Sequence, residues 1–158
     1  MRKFLFIPLL FIFSNCKTPQ QVDYYLPNSY QGEVAIIFSD KGDSAKFKND
    51  RQQIIIPKSG FVVINQKPYF GQVDYKYYIG TSTGFSEISR HFPGMATNKG
   101  QKYVFFEESE NGTLIGKKGN YLHYNAFKFY IGQKLDSSVD RERFHFSRYI
   151  DSIIIEQN

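Results

Sequence analysis

Short apolar runs, separated by polar residues and by turn-forming Gly and Pro, recur along most of the chain. Glu33–Ser39 (EVAIIFS) is apolar on both faces, which is typical of a strand in the centre of a sheet. Gln53–Pro57 and Phe61–Asn65 are rich in β-branched residues, and a predicted hairpin turn at Pro57–Gly60 joins them. Val73–Ile79 alternates, which predicts a half-buried strand. The pattern predicts a mainly β domain.

The second half of the chain continues this pattern after a long polar interruption. Gly80–Gly100 is rich in Gly, Ser and Thr and is predicted to be a loop, with one short helical turn near residues 86–90. Lys102–Glu108 and Thr113–Lys117 are predicted to form a hairpin across Glu110-Asn111-Gly112, because both residues of its Asn-Gly pair accept positive φ. Tyr121–Ile131 adds one or two further strands.

Two segments resemble each other. Tyr75–Gly80 (YKYYIG) and Phe127–Gly132 (FKFYIG) are identical at four of six positions, while the sequence around them does not repeat. They indicate either paired strands in a two-sheet fold or two strands with similar packing requirements.

The hydrophobic period changes near the C-terminus. In residues 141–156 the apolar side chains recur at intervals of three and four residues, at Phe146, Tyr149, Ile150, Ile153 and Ile154. This spacing favours a helix, although residues 153–155 could instead form a last strand. The complete pattern predicts a single-domain antiparallel β-sandwich with a C-terminal helix packed on it.

The N-terminus has the zones of a secretory signal peptide. Residues 1–3 give a positive start, Phe4–Phe13 is apolar, and a short polar stretch follows. The apolar run is about half as long as the roughly 20 residues that a membrane-spanning helix needs. Residues 1–15 are therefore predicted to be a signal peptide that is cut away.

The residues around the only cysteine resemble a lipobox. Phe13-Ser14-Asn15-Cys16 is similar to the site at which signal peptidase II cuts bacterial lipoproteins, although Leu is usual in place of Phe13, and Gly, Ala or Ser in place of Asn15. The resemblance implies that a diacylglyceryl group is joined to the Cys16 thiol and holds the protein on a membrane. Lipidation would also explain an unpaired cysteine in an exported protein.

Location and domain boundaries follow from the residues after the cysteine. Lys17 stands where Asp would indicate retention in the inner membrane, so the outer membrane of the cell envelope is predicted, with its periplasmic or surface face left open. Residues 16–28, polar with Pro19 and Pro27, are predicted to be the lipidated cysteine and a tether. Residues 29–158 are predicted to be the folded domain.

Charge indicates no nucleic-acid partner, whereas the aromatic content is informative. Loss of Arg2 and Lys3 with the signal leaves 18 basic and 15 acidic residues, and no Lys/Arg cluster is longer than Lys117-Lys118. An exported protein with this weak positive excess is not expected to bind nucleic acid. The part after the signal holds 12 Tyr and 12 Phe, which favour strands and supply binding surfaces.

No constellation of residues indicates catalysis, and neither a metal nor another cofactor is predicted. His91, His123 and His145 are isolated from other metal-ligand residues, and the chain has no G-x-S-x-G motif. Glu107 and Glu108 would point to opposite faces of a strand, unlike the facing carboxylates of a glycosidase. The protein is therefore predicted not to be an enzyme.

Residues 26–65 resemble an uncharacterised family of small β-rich domains that occur on bacterial lipoproteins and secreted proteins. The shared pattern is Tyr30-Gln31-Gly32-Glu33-Val34, followed by Ile54-Ile55-Ile56-Pro57 and Gly60. The resemblance implies a β-sandwich and no established activity.

The leading hypothesis is a non-enzymatic envelope lipoprotein that binds a protein, a peptide or a glycan. Tyr78, Phe85, His91 and Phe92 are the predicted ligand contacts. Two alternatives stay open. One is an envelope hydrolase that uses His91 with carboxylates brought near by folding, and the other is an immunity or inhibitor lipoprotein that blocks a secreted toxin or enzyme.

Overall fold

The computed structural model describes residues 19–39, 42–115 and 121–133. These residues form ten strands and no helix. The strands are β1 (Gln20–Leu26), β2 (Gly32–Ser39), β3 (Asp43–Ser44), β4 (Lys46–Lys48), β5 (Arg51–Ile55), β6 (Phe61–Asn65), β7 (Val73–Thr81), β8 (Gly84–Ile88), β9 (Tyr103–Ile115) and β10 (Tyr121–Gly132). The described ranges contain no helix long and apolar enough to cross a membrane. The prediction of a mainly β protein is confirmed.

The strands form two mixed sheets, with the order β4-β5-β1-β7-β8 in sheet A and β3-β6-β2-β10-β9 in sheet B. β1 is parallel to β5 and β7, and β2 is parallel to β6, whereas β10 is antiparallel to β2 and β9. The prediction of an antiparallel sandwich is therefore wrong in its strand directions. The chain changes sheet five times: between β1 and β2, β3 and β4, β5 and β6, β6 and β7, and β8 and β9. Crossover connections of this kind allow parallel neighbours, which a short hairpin cannot join.

Aromatic rings fill the space between the inner faces of the two sheets. Tyr75 of β7 stacks on Phe127 of β10 with ring centroids 4.7 Å apart, and Tyr77 meets Phe129 edge to face at 4.9 Å. Tyr24 of β1 is fully buried beside them. The contacts join equivalent positions of the two similar segments, so these segments face each other from opposite sheets. The two similar segments are thus corresponding strands of a two-sheet fold, one in each sheet.

β2 is buried on both faces, as its uninterrupted apolar sequence predicts. Val34 and Ile36 belong to the core between the sheets, while Ala35 and Ile37 pack with Ala126 on the other face. Alternate residues of a strand point to opposite faces, so both sides of sheet B contribute to packing.

Residues 20–26 form the central strand of sheet A and are not part of a tether. β1 pairs with β5 on one side and with β7 on the other, and Val22, Tyr24 and Leu26 are buried. The predicted domain boundary at residue 29 is therefore wrong. The apolar residues at every second position were a strand signal, but Pro19 and Pro27 just outside the strand concealed it.

Asn111-Gly112 lies inside β9 and does not form the predicted hairpin turn. The two residues pair with Asn125 and Tyr124 of β10. A Cβ added to Gly112 would lie 2.6 Å from Tyr124 Oη, so this glycine makes room for a ring from the neighbouring strand. Here the Asn-Gly pair allows close packing between neighbouring strands and does not reverse the chain.

The predicted loop Gly80–Gly100 contains a strand. β7 and β8 form a hairpin whose last pair is Thr81 with Gly84, and β8 occupies most of the segment for which a helical turn is predicted. Pro57–Gly60 does form a turn, closed by a hydrogen bond from Gly60 N to Pro57 O at 3.0 Å. This turn connects sheet A to sheet B and not two strands of one hairpin.

Three predictions concern residues outside the described ranges. They are the signal peptide in residues 1–15, the lipidation of Cys16, and the C-terminal helix in residues 141–156 with its alternative strand.

Candidate functional site

Four side chains form a continuous surface on the outer face of sheet A, which we call the aromatic strip: Tyr25, Ile55, Tyr78 and Phe85. In the strand register, Tyr25 of β1 lies opposite Ile55 of β5 and Tyr78 of β7. The Tyr25 ring stacks on Tyr78 at 5.0 Å and meets Phe85 of β8 edge to face at 5.0 Å. Ile55 is 63% exposed and Phe85 59%. The aromatic strip therefore presents apolar surface to solvent across four neighbouring strands.

Fixed polar groups border the aromatic strip on the side towards the start of β1. Gln53 Nε2 donates to Tyr25 Oη at 3.1 Å. Arg51 donates from Nε to Asp23 Oδ1 at 2.6 Å and from Nη1 to Asp74 Oδ2 at 2.7 Å. The hydrogen bond from Arg51 holds the pKa of the Asp74 carboxyl below its usual value. Rings and hydrogen-bonding groups thus lie side by side on one rigid sheet face.

A second feature is an open pocket of about 520 Å³ between the segment that follows β8 and the first half of β9. Its apolar wall consists of Phe92, Pro93, Val104, Phe105 and Phe106. Its polar groups come from Arg90, His91 and Glu107. An apolar wall with a few polar groups is the usual composition of a small-ligand site.

Backbone hydrogen bonds hold one wall of this pocket in place. Val104 N donates to Ser89 O at 2.9 Å, and His91 N donates to Val104 O at 2.8 Å. Residues 89–91 therefore run alongside β9, where Arg90 and Val104 form a parallel bridge. The connection brings the chain from the edge strand of sheet A to the edge strand of sheet B.

Arg90 and Glu107 form an ion pair at the pocket. Arg90 Nε lies 2.5 Å from Glu107 Oε1, and Tyr77 Oη donates to the same oxygen at 2.7 Å. The guanidinium carbon is 5.6 Å from the centroid of the Tyr75 ring and 5.7 Å from that of Tyr77, within the range of cation–π attraction. Burial lowers the pKa of Arg90, but the charge of Glu107 and the interactions with Tyr77 together outweigh burial, so the pKa is raised. Arg90 therefore stays charged.

The hydroxyl groups around the ion pair stay protonated. Burial, followed by the charge of Glu107, raises the pKa of Tyr75 to about 12 and the pKa of Tyr77 further still. Tyr77 is consequently a permanent donor to Glu107. The carboxylate is held by two donors, and this leaves it poorly placed to take a proton from a substrate.

Two nitrogens of Arg90, Nη2 and Nε, lack a well-formed hydrogen bond within the described residues. Nη2 is buried, and within the described ranges no acceptor completes a well-formed hydrogen bond with it. The contact between Nε and Glu107 is likewise an ion pair by distance without the geometry of a hydrogen bond. A buried donor without an acceptor costs about 1–3 kcal/mol.

His91 shares the pocket with Glu107 but does not pair with it. Its Nε2 lies 3.0 Å from Met95 O, and its ring packs 4.7 Å from the Phe105 ring. In the part of the chain that the structure describes, no hydrogen bond or ion pair joins His91 to a carboxylate. A histidine base is normally oriented by such a partner, so this geometry gives no support to the hydrolase hypothesis.

Glu107 and Glu108 point to opposite faces of sheet B, as predicted. Glu107 contacts Tyr77 of the other sheet, whereas Glu108 lies 3.8 Å from Lys128 on the outer face. The register shifts between Lys128 and Tyr130, beside Phe106 with its positive φ of 48°. A bulge of this kind re-aims side chains at a sheet edge, here beside the pocket.

The four predicted ligand contacts fall on two separate surfaces. Tyr78 and Phe85 belong to the aromatic strip, whereas His91 and Phe92 line the pocket. The two surfaces share no residue. Their role as ligand contacts stays a prediction.

Sequence reasoning missed the contacts that complete each surface. Tyr25 is one of the aromatic residues that the sequence offers for binding, but its assignment to the tether concealed its strand and its contact with Tyr78. Arg90 had no local signal, because the groups that surround it, Tyr75, Tyr77 and Glu107, come from other strands.

Comparison with known proteins gives a fold and no family. No protein-family model matches the sequence, and no curated protein matches it. The structure is similar to the 2.75 Å crystal structure of a protein from Bacillus anthracis that is classed provisionally as a lipoprotein. The similarity has a TM-score of 0.57 at 13% sequence identity and covers 88% of this chain and 96% of the other. At this identity the similarity shows the fold alone.

Proposed function

We propose that this protein is a lipoprotein of the bacterial cell envelope, anchored through Cys16, and that it acts as a non-enzymatic binding module. The lipobox-like sequence before Cys16 supports the anchor. The fold similarity to a protein classed provisionally as a lipoprotein supports an envelope location. Lys17 after the cysteine favours the outer membrane.

The exposed aromatic strip is the observation that carries the binding role. Exposed apolar patches on otherwise polar surfaces mark interaction sites, and stacked rings provide large contact area at low entropic cost. Tyr25 lies five residues after Gln20 along β1, about 17 Å at 3.3 Å per residue. An anchor at Cys16 would therefore hold the start of β1 near the membrane and present the aromatic strip away from it.

The pocket fits a binding role better than a catalytic one. Glu107 is held by Arg90 and Tyr77, and His91 is held by the carbonyl of Met95. Arg90, the third polar group of the pocket, stays charged and cannot transfer a proton at ordinary pH. A protein, a peptide or a glycan remains the proposed partner, and an enzyme inhibited by this protein would be one example of a protein partner.

Photo-crosslinking tests the aromatic strip directly. The full-length protein carries benzoylphenylalanine at position 85 or, as a matched control, at position 47, where the native Phe47 is 65% exposed at the β4 edge. We expect a crosslinked species in intact cell envelopes from position 85 and none from position 47. Sensitivity of the product to a protease or to a glycan-cleaving enzyme identifies the class of partner. Equal products from both positions, or none from position 85, would show that the strip is not the docking surface.

Metabolic labelling with an alkyne fatty acid tests the anchor. The wild type should incorporate the label, and Cys16→Ala should lose it completely, because the chain has no other cysteine. Cys16→Ser is the conservative control and should behave in the same way. Label that persists in either variant would refute acylation of the thiol.

A further inference from the structure

The end of the fold at which β1 begins can be identified from the strand register. Gln20 of β1 lies opposite Val73 of β7, and both strands run away from this end. β6 ends at Asn65 and β7 begins at Val73, so residues 66–72 lie at the same end. β5 is parallel to β1, and the turn before β5 therefore lies there as well.

Phe70 protrudes from this end. It is 83% exposed, more than the other large apolar side chains that the structure shows at the surface. The preceding residue, Tyr69, is fixed inwards, since its hydroxyl donates to Gln52 Oε1 at 2.7 Å and its ring meets Phe38 edge to face at 5.2 Å. Phe70 therefore projects from a firmly held segment and not from a free loop tip.

Basic residues accompany Phe70. Lys67 is exposed in the same segment, and Lys48 is exposed beside the turn that leads into β5. Two exposed acidic residues lie at the same end: Asp50 in that turn, and Asp43, which pairs with Ile64 beside the end of β6. Asp74, at the start of β7, is paired with Arg51. An exposed aromatic ring at the same end of a fold as exposed lysines is a composition found in interfacial membrane contacts.

The distance from the anchor limits where this end can lie. Gln20 follows Cys16 by four residues, which span at most about 14 Å when fully extended. The lipid chains of an acylated Cys16 lie in the bilayer, so the start of β1 cannot move far from the headgroups. No comparable constraint applies to the opposite end of the fold.

We infer that this end docks on the membrane that carries the anchor, with Phe70 at the headgroup boundary and Lys48 and Lys67 beside anionic headgroups. The inference rests on the proposed acylation of Cys16. The contact would fix the orientation of the domain, so that the aromatic strip on the far part of sheet A faces away from the bilayer. The alternative is that a protein partner binds Phe70. The short distance to the anchor leaves little space for such a partner between this end and the membrane.

The lack of tryptophan in the chain makes a direct test possible. Phe70→Trp and Phe85→Trp each introduce one reporter at an exposed position. The full-length acylated proteins are reconstituted in vesicles of phosphatidylethanolamine and phosphatidylglycerol, with or without brominated acyl chains. We expect the emission of Phe70→Trp to shift to shorter wavelength and to be quenched by the bromine, and the emission of Phe85→Trp to show neither effect. Phe70→Trp combined with Cys16→Ala should keep the emission of a solvent-exposed ring.

The outcomes separate this inference from the anchor itself. Protein that floats with the vesicles while Phe70→Trp remains unquenched would overturn the docking and leave the anchor intact. Equal quenching at both positions would overturn it too, because the domain would then have no preferred face. Protein that does not float with the vesicles would contradict the anchor, and the docking would fail with it.

Discussion

Gly60→Ala should lower the free energy of unfolding by about 3–5 kcal/mol, through backbone strain combined with a steric clash. Gly60 has a φ of +76°, which disfavours any residue with a Cβ. An added Cβ would overlap Tyr30 Oη and Glu33 O, far inside the 3.0 Å that Cβ contacts keep. It would therefore break the hydrogen bond from the Tyr30 hydroxyl to Glu33 O. Urea unfolding followed by circular dichroism measures the loss.

Gly71→Ala is the matched control for this substitution. Gly71 has a φ of +90° but no atom within 4 Å of an added Cβ, so only the strain remains and the expected loss is about 1–2 kcal/mol. The difference between the two variants isolates the clash with Tyr30 and Glu33. Losses of equal size would show that the segment around Gly60 relaxes freely, in contradiction to its hydrogen bond from Ala35 N to Gly60 O at 2.8 Å.

The sequence at Gly60 allows a turn to be predicted, but not which strands the turn connects. Pro57 and Gly60 are turn residues whatever surrounds them, and the turn is present. The same two residues cannot show whether the next strand returns to the same sheet or crosses to the other. That choice depends on which apolar faces pack together, and it decides that β6 becomes the parallel neighbour of β2.

Local propensity was misleading where tertiary packing decided the outcome. Asn111-Gly112 is a strong turn signal on its own, yet the length of β10 and the Tyr124 ring keep β9 extended through it. At β1, two flanking prolines outweighed a clear alternation of apolar residues. By contrast, Val73–Ile79 and Glu33–Ser39 were predictable, because burial of their apolar residues agrees with their local pattern.

Only part of the candidate site could be predicted from the sequence, because the site also depends on tertiary packing. Tyr78 and Phe85 were predicted as exposed aromatics because β7 and its loop could be located. Their contact with Tyr25 depends on the parallel pairing of β1 and β7. Arg90 likewise meets Glu107 only because two edge strands come together. Contacts between side chains of strands that are distant in the sequence cannot be predicted from a local pattern.

Arg51→Met should also be strongly destabilising, by about 3–5 kcal/mol, because it leaves a buried carboxylate without its partner. The Asp23 side chain is 7% exposed, and Arg51 Nε contacts its Oδ1 at 2.6 Å. Lys76, its neighbour across β1 and β7, forms no ion pair with it in the part of the chain that the structure describes. Urea unfolding at neutral pH measures the effect.

Asp74→Asn removes the other ion pair of Arg51 and is the matched control. The Asp74 side chain is 46% exposed, so solvent screens the interaction and the expected loss is below about 1 kcal/mol. The pKa of Asp74 is lowered from its ordinary value of 3.8 by the Arg51 hydrogen bond. A lowered carboxyl pKa stabilises the fold above that ordinary value, and this stabilisation is lost as the pH falls through the folded-state pKa. The difference between Asp74→Asn and the wild type should therefore be present at neutral pH and disappear in acid.

The comparison of the two variants shows whether the burial of Asp23, or charge pairing alone, determines how much Arg51 contributes to the free energy of unfolding. If burial governs, Arg51→Met lowers the free energy of unfolding at neutral pH much more than Asp74→Asn does, because Asp23 is buried and Asp74 is not. If both variants lose an equally small amount of unfolding free energy, water must reach Asp23. The border of the aromatic strip would then be a loosely held surface. In that case packing and the hydrogen bond from Gln53 to Tyr25 would hold the stacked rings of Tyr25 and Tyr78 without Arg51, and Arg51→Met should leave crosslinking from position 85 unchanged.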